Sequence, residues 1–192
     1  MREIGIGHNQ GPSMDALRIR VWARARAALP QPAPAVARLW LSRAAALGMP
    51  AADYFAFRGA AGRDLAAVIL TQPALASGTG RWPARRTRLA ALQGVRLGLL
   101  VHRAVDTAAL DGLPVTLAPL PGPATPWSER RAAIRDLLAR MQAPAAGTLL
   151  VADGPSDLMT MQAGGLADLW SPARFFTEPD PLTEPLPRVT GT

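Results

Sequence analysis

Two aspartates four residues apart, Asp153 and Asp157, follow the apolar run Thr148–Val151 and enclose Gly-Pro-Ser. A strand that passes through such a loop into a helix sets both carboxylates at the carboxyl edge of a parallel sheet, where α/β proteins keep their sites. At that spacing the pair could share Mg²⁺. The plainer role for the same residues is structural, with Asp157 capping a helix and Asp153 holding the turn. His102 ends a second apolar run on the same expected edge, where a neutral, hydrogen-bonded imidazole is the ordinary outcome. His8 has no neighbours that would make a ligand set. The chain has no Cys, which excludes thiolate metal sites and disulfides and fits a reducing compartment. No Gly-rich phosphate loop, Ser-His-Asp arrangement or metalloprotease motif is legible.

Arginine is the other chemically telling residue. All 21 basic residues of this 192-residue chain are Arg; residues 1–100 hold fourteen of them against four acids, and residues 101–192 hold seven against ten. Guanidinium forks suit phosphate, and their approach to a polyanion releases counterions, so the first half is expected to contact nucleic acid. Arg18, Arg24, Arg26, Arg38, Arg43, Arg58, Arg85, Arg86 and Arg88 are the candidate contacts, with an acidic protein as the alternative partner. The expectation depends on these side chains converging on one surface. Among the aromatics interspersed with them, Trp22, Trp40, Tyr54, Phe55 and Phe57 fit a core better than a stacking platform, and Trp82, beside Arg81, is the best candidate for stacking on an unpaired base.

These residues need elements to hold them. Residues 1–13 read as a flexible leader. Apolar spacing predicts helices over Asp15–Leu29 and from Pro34 to Leu47, where Gly48 ends the second. Two further apolar stretches, Asp53–Phe57 and Asp64–Leu70, complete an Arg-rich helical region over 14–92, and Thr71–Pro83 reads as a linker. From Gly94 the pattern changes. Val95–His102, Val115–Leu120 and Thr148–Val151 have the length and composition of buried parallel strands, Ser128–Met141 and Asp157–Ala167 read as helices, and Arg174–Phe176 as an edge strand. The Pro-rich tail over 177–192 shows no periodicity. The expected fold is therefore α/β, an N-terminal helical bundle packed on a small parallel three-layer α/β sheet over 94–176.

Three resemblances bear on function. Leu41–Phe57, with Ala44, Gly48, Met49, Tyr54 and Phe57 at the positions that let two helices meet across a sharp turn, resembles the helix-turn-helix superfamily. Its second helix opens with Ala51, Ala52 and Asp53, where a reader of base edges would present polar donors. Leu149–Leu158, continued through Gly164 and Gly165, is similar to the acidic loop of the haloacid-dehalogenase-like superfamily. That resemblance implies Mg²⁺-dependent phosphoryl transfer from a nucleophilic Asp on the first strand. The first strand is expected at Val95–Val101, and no Asp-x-Asp follows it, so the covalent step has no starting group. The leader Ile6–Pro12, together with Trp40–Leu70, resembles small, uncharacterised alphaproteobacterial proteins, which implies a bacterial cytoplasmic source and no particular activity.

The sequence thus leads to a non-enzymatic binding protein of the cytoplasm that contacts nucleic acid, DNA in the first instance, through its Arg-rich half and needs no cofactor. The alternatives are a divergent haloacid-dehalogenase-like phosphatase with Mg²⁺ on Asp153 and Asp157, or a scaffold for protein partners.

Overall fold

The computed structural model describes residues 32–75, 80–102 and 110–177. The expected leader, the helix over Asp15–Leu29 and the Pro-rich tail lie outside them, apart from Thr177. The chain divides into two compact units, residues 1–37 and residues 38–192. The second unit carries the sheet and everything that follows.

Five strands, all parallel, form one sheet: β1 Ala67–Thr71, β2 Arg96–Val101, β3 Val115–Pro119, β4 Thr148–Val151 and β5 Asp168–Trp170, in the order β3-β2-β1-β4-β5. That is the strand order of a Rossmann-like domain. Its helices are α1 Pro34–Ala46, α2 Ala51–Ala61, α3 Gln72–Leu75, α4 Trp82–Ala90, α5 Trp127–Met141, α6 Asp157–Gly164 and α7 Pro172–Phe176. The expected α/β class, with N-terminal helices followed by a parallel sheet with interleaved helices, is what the chain adopts.

Period-2 alternation divides the strand residues between two cores. Val68, Leu70, Leu97, Leu99, Leu149 and Val151 face Leu47, Tyr54, Phe57, Leu89 and Phe175 of the α1, α2, α4 and α7 layer. Ala67, Ile69, Leu100 and Leu150 face Ile134, Leu137, Leu138 and Met141 of α5. Both faces of the central strands are covered, which is why they read as unbroken apolar runs rather than alternating ones. On the second face, α5 and α6 approach closely at Gly164, where a Cβ would sit 2.5 Å from Ile134 Cγ2.

Four local readings are corrected. Asp64–Leu70, grouped above with the helical region over 14–92, supplies the central strand β1, and its run Ala-Val-Ile-Leu-Thr is wholly buried. Thr71–Pro83 is not a bare linker, since Thr71 closes β1, α3 follows at once and Trp82 opens α4. Arg174–Phe176 is helical rather than an edge strand: Pro172 favours a first helical turn, and Ser171 Oγ accepts from the backbone N of Arg174 at 3.3 Å. The strand at that edge is Asp168–Trp170, opened by the turn at Gly165, which ends α6 in the left-handed region. Finally, Ser128 is not the first residue of α5. The helix opens one residue earlier, with Pro126 in the N-cap position.

The helix pair expected from Leu41–Phe57 is present as α1 and α2. Gly48, at φ +57°, makes the turn, and Ala44, Leu47, Met49, Tyr54 and Phe57 are buried in the seam. Glycine is needed there twice over, because a Cβ at Gly48 would also lie 2.6 Å from the Arg88 guanidinium.

Candidate binding cleft

In a parallel sheet whose first three strands run to one side and whose fourth returns beside the first, the loops leaving β1 and β4 diverge and open a crevice between them. Here the crevice is a cleft of about 1030 Å³ at the carboxyl edge of the sheet. Residues from the end of every strand reach it: Thr71 after β1, His102 after β2, Leu120 after β3, the loop Asp153–Asp157 after β4, and Ser171 to Arg174 after β5. Arg81 and Arg85, at the start of α4, line it as well.

The acidic wall is built by the β4–α6 loop. Asp157, only 4% exposed, turns Oδ2 back to accept from the backbone N of Gly154 at 2.6 Å, closing the loop on itself. Burial raises the Asp157 pKa above the ordinary carboxylate range. The Gly154 bond opposes that rise, nearby Asp153 adds to it, and the positive fields of Arg130 and His102 oppose it. Asp153 itself is exposed. Below the loop, Arg130 of α5 is 1% exposed, donating to Thr160 Oγ1 at 2.7 Å and to the Gly122 carbonyl at 2.6 Å. A buried guanidinium thereby joins α5, α6 and the segment between β3 and α5. Arg130 stands four residues before Ile134 and seven before Leu137, on their face of the helix, and that spacing is the signal in the sequence that it is buried.

The basic wall comes from α4 and α7. Arg85 is buried, donates to the Ala74 carbonyl at 2.6 Å and lies 4.7 Å from the Phe176 ring centre. Arg174 pairs with Asp53 of α2 at 2.7 Å and stacks 3.9 Å from the Trp170 ring centre. The Trp170 indole in turn donates to Asp168 at 2.8 Å. This chain of contacts locks α2, β5 and α7 together. It also ties the opening turn of α2, the segment expected to read bases in a helix-turn-helix, to the rim of the cleft.

The structure distributes the expected nucleic-acid contacts rather than gathering them. Arg18, Arg24 and Arg26 lie outside the described residues. Arg43 pairs with Asp64 at 3.0 Å and donates to the Gln93 carbonyl; Arg86 donates to the Asp111 carbonyl at 2.5 Å; Arg88 donates to the Leu47 carbonyl. Arg58 lies over the Trp40 ring, 4.8 Å from its centre. Arg85 is in the cleft, and Arg38 is exposed with no bond to another described residue. Trp82, the expected stacking residue, is half-buried against the core, as are Trp40 and Phe55.

His102 is exposed at the cleft rim, and its backbone N donates to Gln72 Oε1 at 3.0 Å. The acidic pair meets the expectation of a shared edge. Asp157 has one oxygen committed to Gly154, and among the described residues no group of three or more His, Cys, Asp and Glu side chains is gathered that could hold a metal ion. The first strand of the sheet is β1, not Val95–Val101, and the residues leaving it are Thr71, Gln72 and Pro73. No carboxylate follows that strand either. Among the described residues no helix is long and apolar enough to cross a membrane.

Comparison with family models, with curated proteins and with solved structures finds no match to this chain. The shared feature that remains is architectural, a five-stranded parallel sheet of Rossmann-like order.

Proposed function

We propose that this is a non-enzymatic binding protein whose cleft takes a small phosphorylated, hydroxyl-bearing molecule. One observation carries the reading: the loops after all five strands meet in a single cleft with arginines on one wall and the Asp153–Asp157 loop on the other. Positive charge at Arg81, Arg85 and Arg174 suits a phosphate; Arg174 Nε and Nη2 are already held by Asp53 and Arg85 Nη1 by the Ala74 carbonyl, so these two act through their field and their remaining N–H donors. Exposed Asp153 suits the hydroxyls of a sugar, as an acidic residue does for ribose in related sheet architectures. Asp157 keeps the loop folded through its bond to the Gly154 backbone. Thr71, Gln72 and Pro73 leave the first strand without the carboxylate nucleophile that phosphoryl transfer of the haloacid-dehalogenase type would use there.

Isothermal titration with ribose 5-phosphate, ribose and inorganic phosphate tests this. The sugar phosphate binds more tightly than either fragment, Arg81→Ala weakens phosphate and sugar phosphate alike, and Asp153→Asn reduces only the advantage the sugar confers. Equal heats for wild type and both variants would refute the assignment.

Contact with nucleic acid through the Arg-rich half is the second reading, favoured by the net charge of +7 and its concentration in residues 1–100. Its mark is affinity that falls linearly on a log–log salt plot with duplex and single-stranded oligonucleotides alike.

A further inference from the structure

A second groove, about 360 Å³, runs between α5 and the end of α6. Along its α5 side stand Trp127, Arg131 and Arg135, at i, i+4 and i+8 of one helix and therefore on one face, about 6 Å apart along the axis. Trp127 is 51% exposed, the largest apolar side chain the described residues leave to solvent. Arg131 and Arg135 are exposed and make no hydrogen bond or ion pair with any described residue, unlike Arg140 farther along the helix, which pairs with Asp136. Opposite them, the exposed Gln162 adds an amide that can both donate and accept.

From this arrangement we infer that the α5–α6 groove binds single-stranded nucleic acid, one base stacking on Trp127 and successive phosphates meeting Arg131 and Arg135. An open indole offers its face to any unpaired base, and two unpartnered guanidinium groups one turn apart follow a backbone past it. Gln162 is placed to meet a base edge. A duplex keeps its bases stacked inside and offers the indole nothing. An acidic peptide would satisfy the arginines and leave the tryptophan without a role. The surface lies in the half of the chain with net negative charge, so it is independent of the patch expected from residues 1–100 and of the cleft.

Fluorescence anisotropy of a labelled single strand of about 12 nucleotides, titrated with the full chain at low salt, decides the matter. Wild type binds it in preference to a duplex of the same length. Trp127→Ala weakens binding about tenfold or more and Trp127→Phe restores most of it. Arg131→Glu with Arg135→Glu removes binding, and Arg131→Ala with Arg135→Ala lowers the salt slope by about 1.4, the share of two single-strand phosphates. Asp153→Asn in the cleft leaves the affinity unchanged, so failure here is separable from failure of the cleft assignment. No binding at low salt, binding indifferent to all of these substitutions, or equal competition by polyglutamate with Trp127→Ala silent would each overturn the inference; the last would identify an acidic protein partner. Circular dichroism melts establish that each variant folds, and Trp127→Phe keeps the stacking test available if the alanine variant does not.

Discussion

On one side of the sheet, Arg43, Arg85, Arg86 and Arg88 all end on oxygens of their own chain; on the other, Arg131 and Arg135 end in solvent. The first group sits in the more basic half, the second in the more acidic one. What separates them is what lies within reach of each side chain. In the α1, α2, α4 and α7 layer, short helices and turns leave backbone carbonyls exposed at their ends, such as Leu47, Ala74, Gln93 and Asp111, and a long stem carrying five donors reaches them. In a chain without lysine, arginine takes this work. Along α5, a regular helix of fifteen residues, Arg131 and Arg135 make no hydrogen bond or ion pair with a described residue, whereas Arg140, nearer its end, reaches Asp136 and the Leu117 carbonyl. Net charge per segment therefore does not count the cations available to a partner.

The sharpest way to break this comparison is Arg130, the buried arginine of α5. Arg130→Ala removes a wholly buried side chain, takes away the donor to Thr160 Oγ1 and to the Gly122 carbonyl, and is expected to cost about 3 kcal/mol in urea unfolding. A cost near zero would mean that the buried arginines are as dispensable as the exposed ones. Gly164→Ala comes next, forcing a methyl against Ile134 and separating α5 from α6 at a cost of about 1–3 kcal/mol. Because Trp127 and Arg131 share a groove with Gly164, that variant also lowers single-strand affinity if the groove is the binding surface.

Arg88 sharpens the contrast from the other side. Burial lowers its pKa, and its Nη2 has no hydrogen-bond partner, so Arg88→Met, similar in shape and apolar, is expected to change stability by less than about 1.5 kcal/mol and to leave nucleic-acid affinity where it was. Arg131→Ala with Arg135→Ala, by contrast, stays within about 0.5 kcal/mol in stability and loses affinity.

The smallest effect is one of pH. Because burial raises the folded-state pKa of Asp157, the folded chain holds that proton more tightly than the unfolded chain does. Its contribution to stability is full below the unfolded carboxylate pKa of about 3.9 and is lost as pH rises through the raised folded value. Asp157→Asn, which keeps an oxygen for Gly154, is expected to flatten the stability profile across that window in melts at a series of pH values. A profile unchanged from wild type would place the titration elsewhere.

Much of the architecture is legible before any coordinate is known. Val95–His102, Val115–Leu120 and Thr148–Val151 are dense apolar runs between turn residues, and each became a strand of the parallel sheet. The run ending at Leu70 is just as apolar but follows two helices closely and precedes a stretch rich in Pro and Gly, so it reads with its neighbours, although it pairs with both β2 and β4 at the centre of the sheet. The cleft is half legible: Asp153, Asp157 and His102 stand out by type and position. Arg81, Arg85 and Arg174 do not, because they come from segments far apart in sequence and only the crossover from β3 to β4 sets them opposite the acidic loop.

Local order alone determined α1, α5 and α6, the turn at Gly48 and three of the five strands, since periodicity and backbone freedom are properties of neighbouring residues. Which arginines face solvent and which close the protein's own carbonyls was decided by the tertiary structure, because a guanidinium on a flexible stem bonds to whatever oxygen the fold brings within its reach, and that neighbour can lie fifty residues away, as the Gln93 carbonyl does from Arg43.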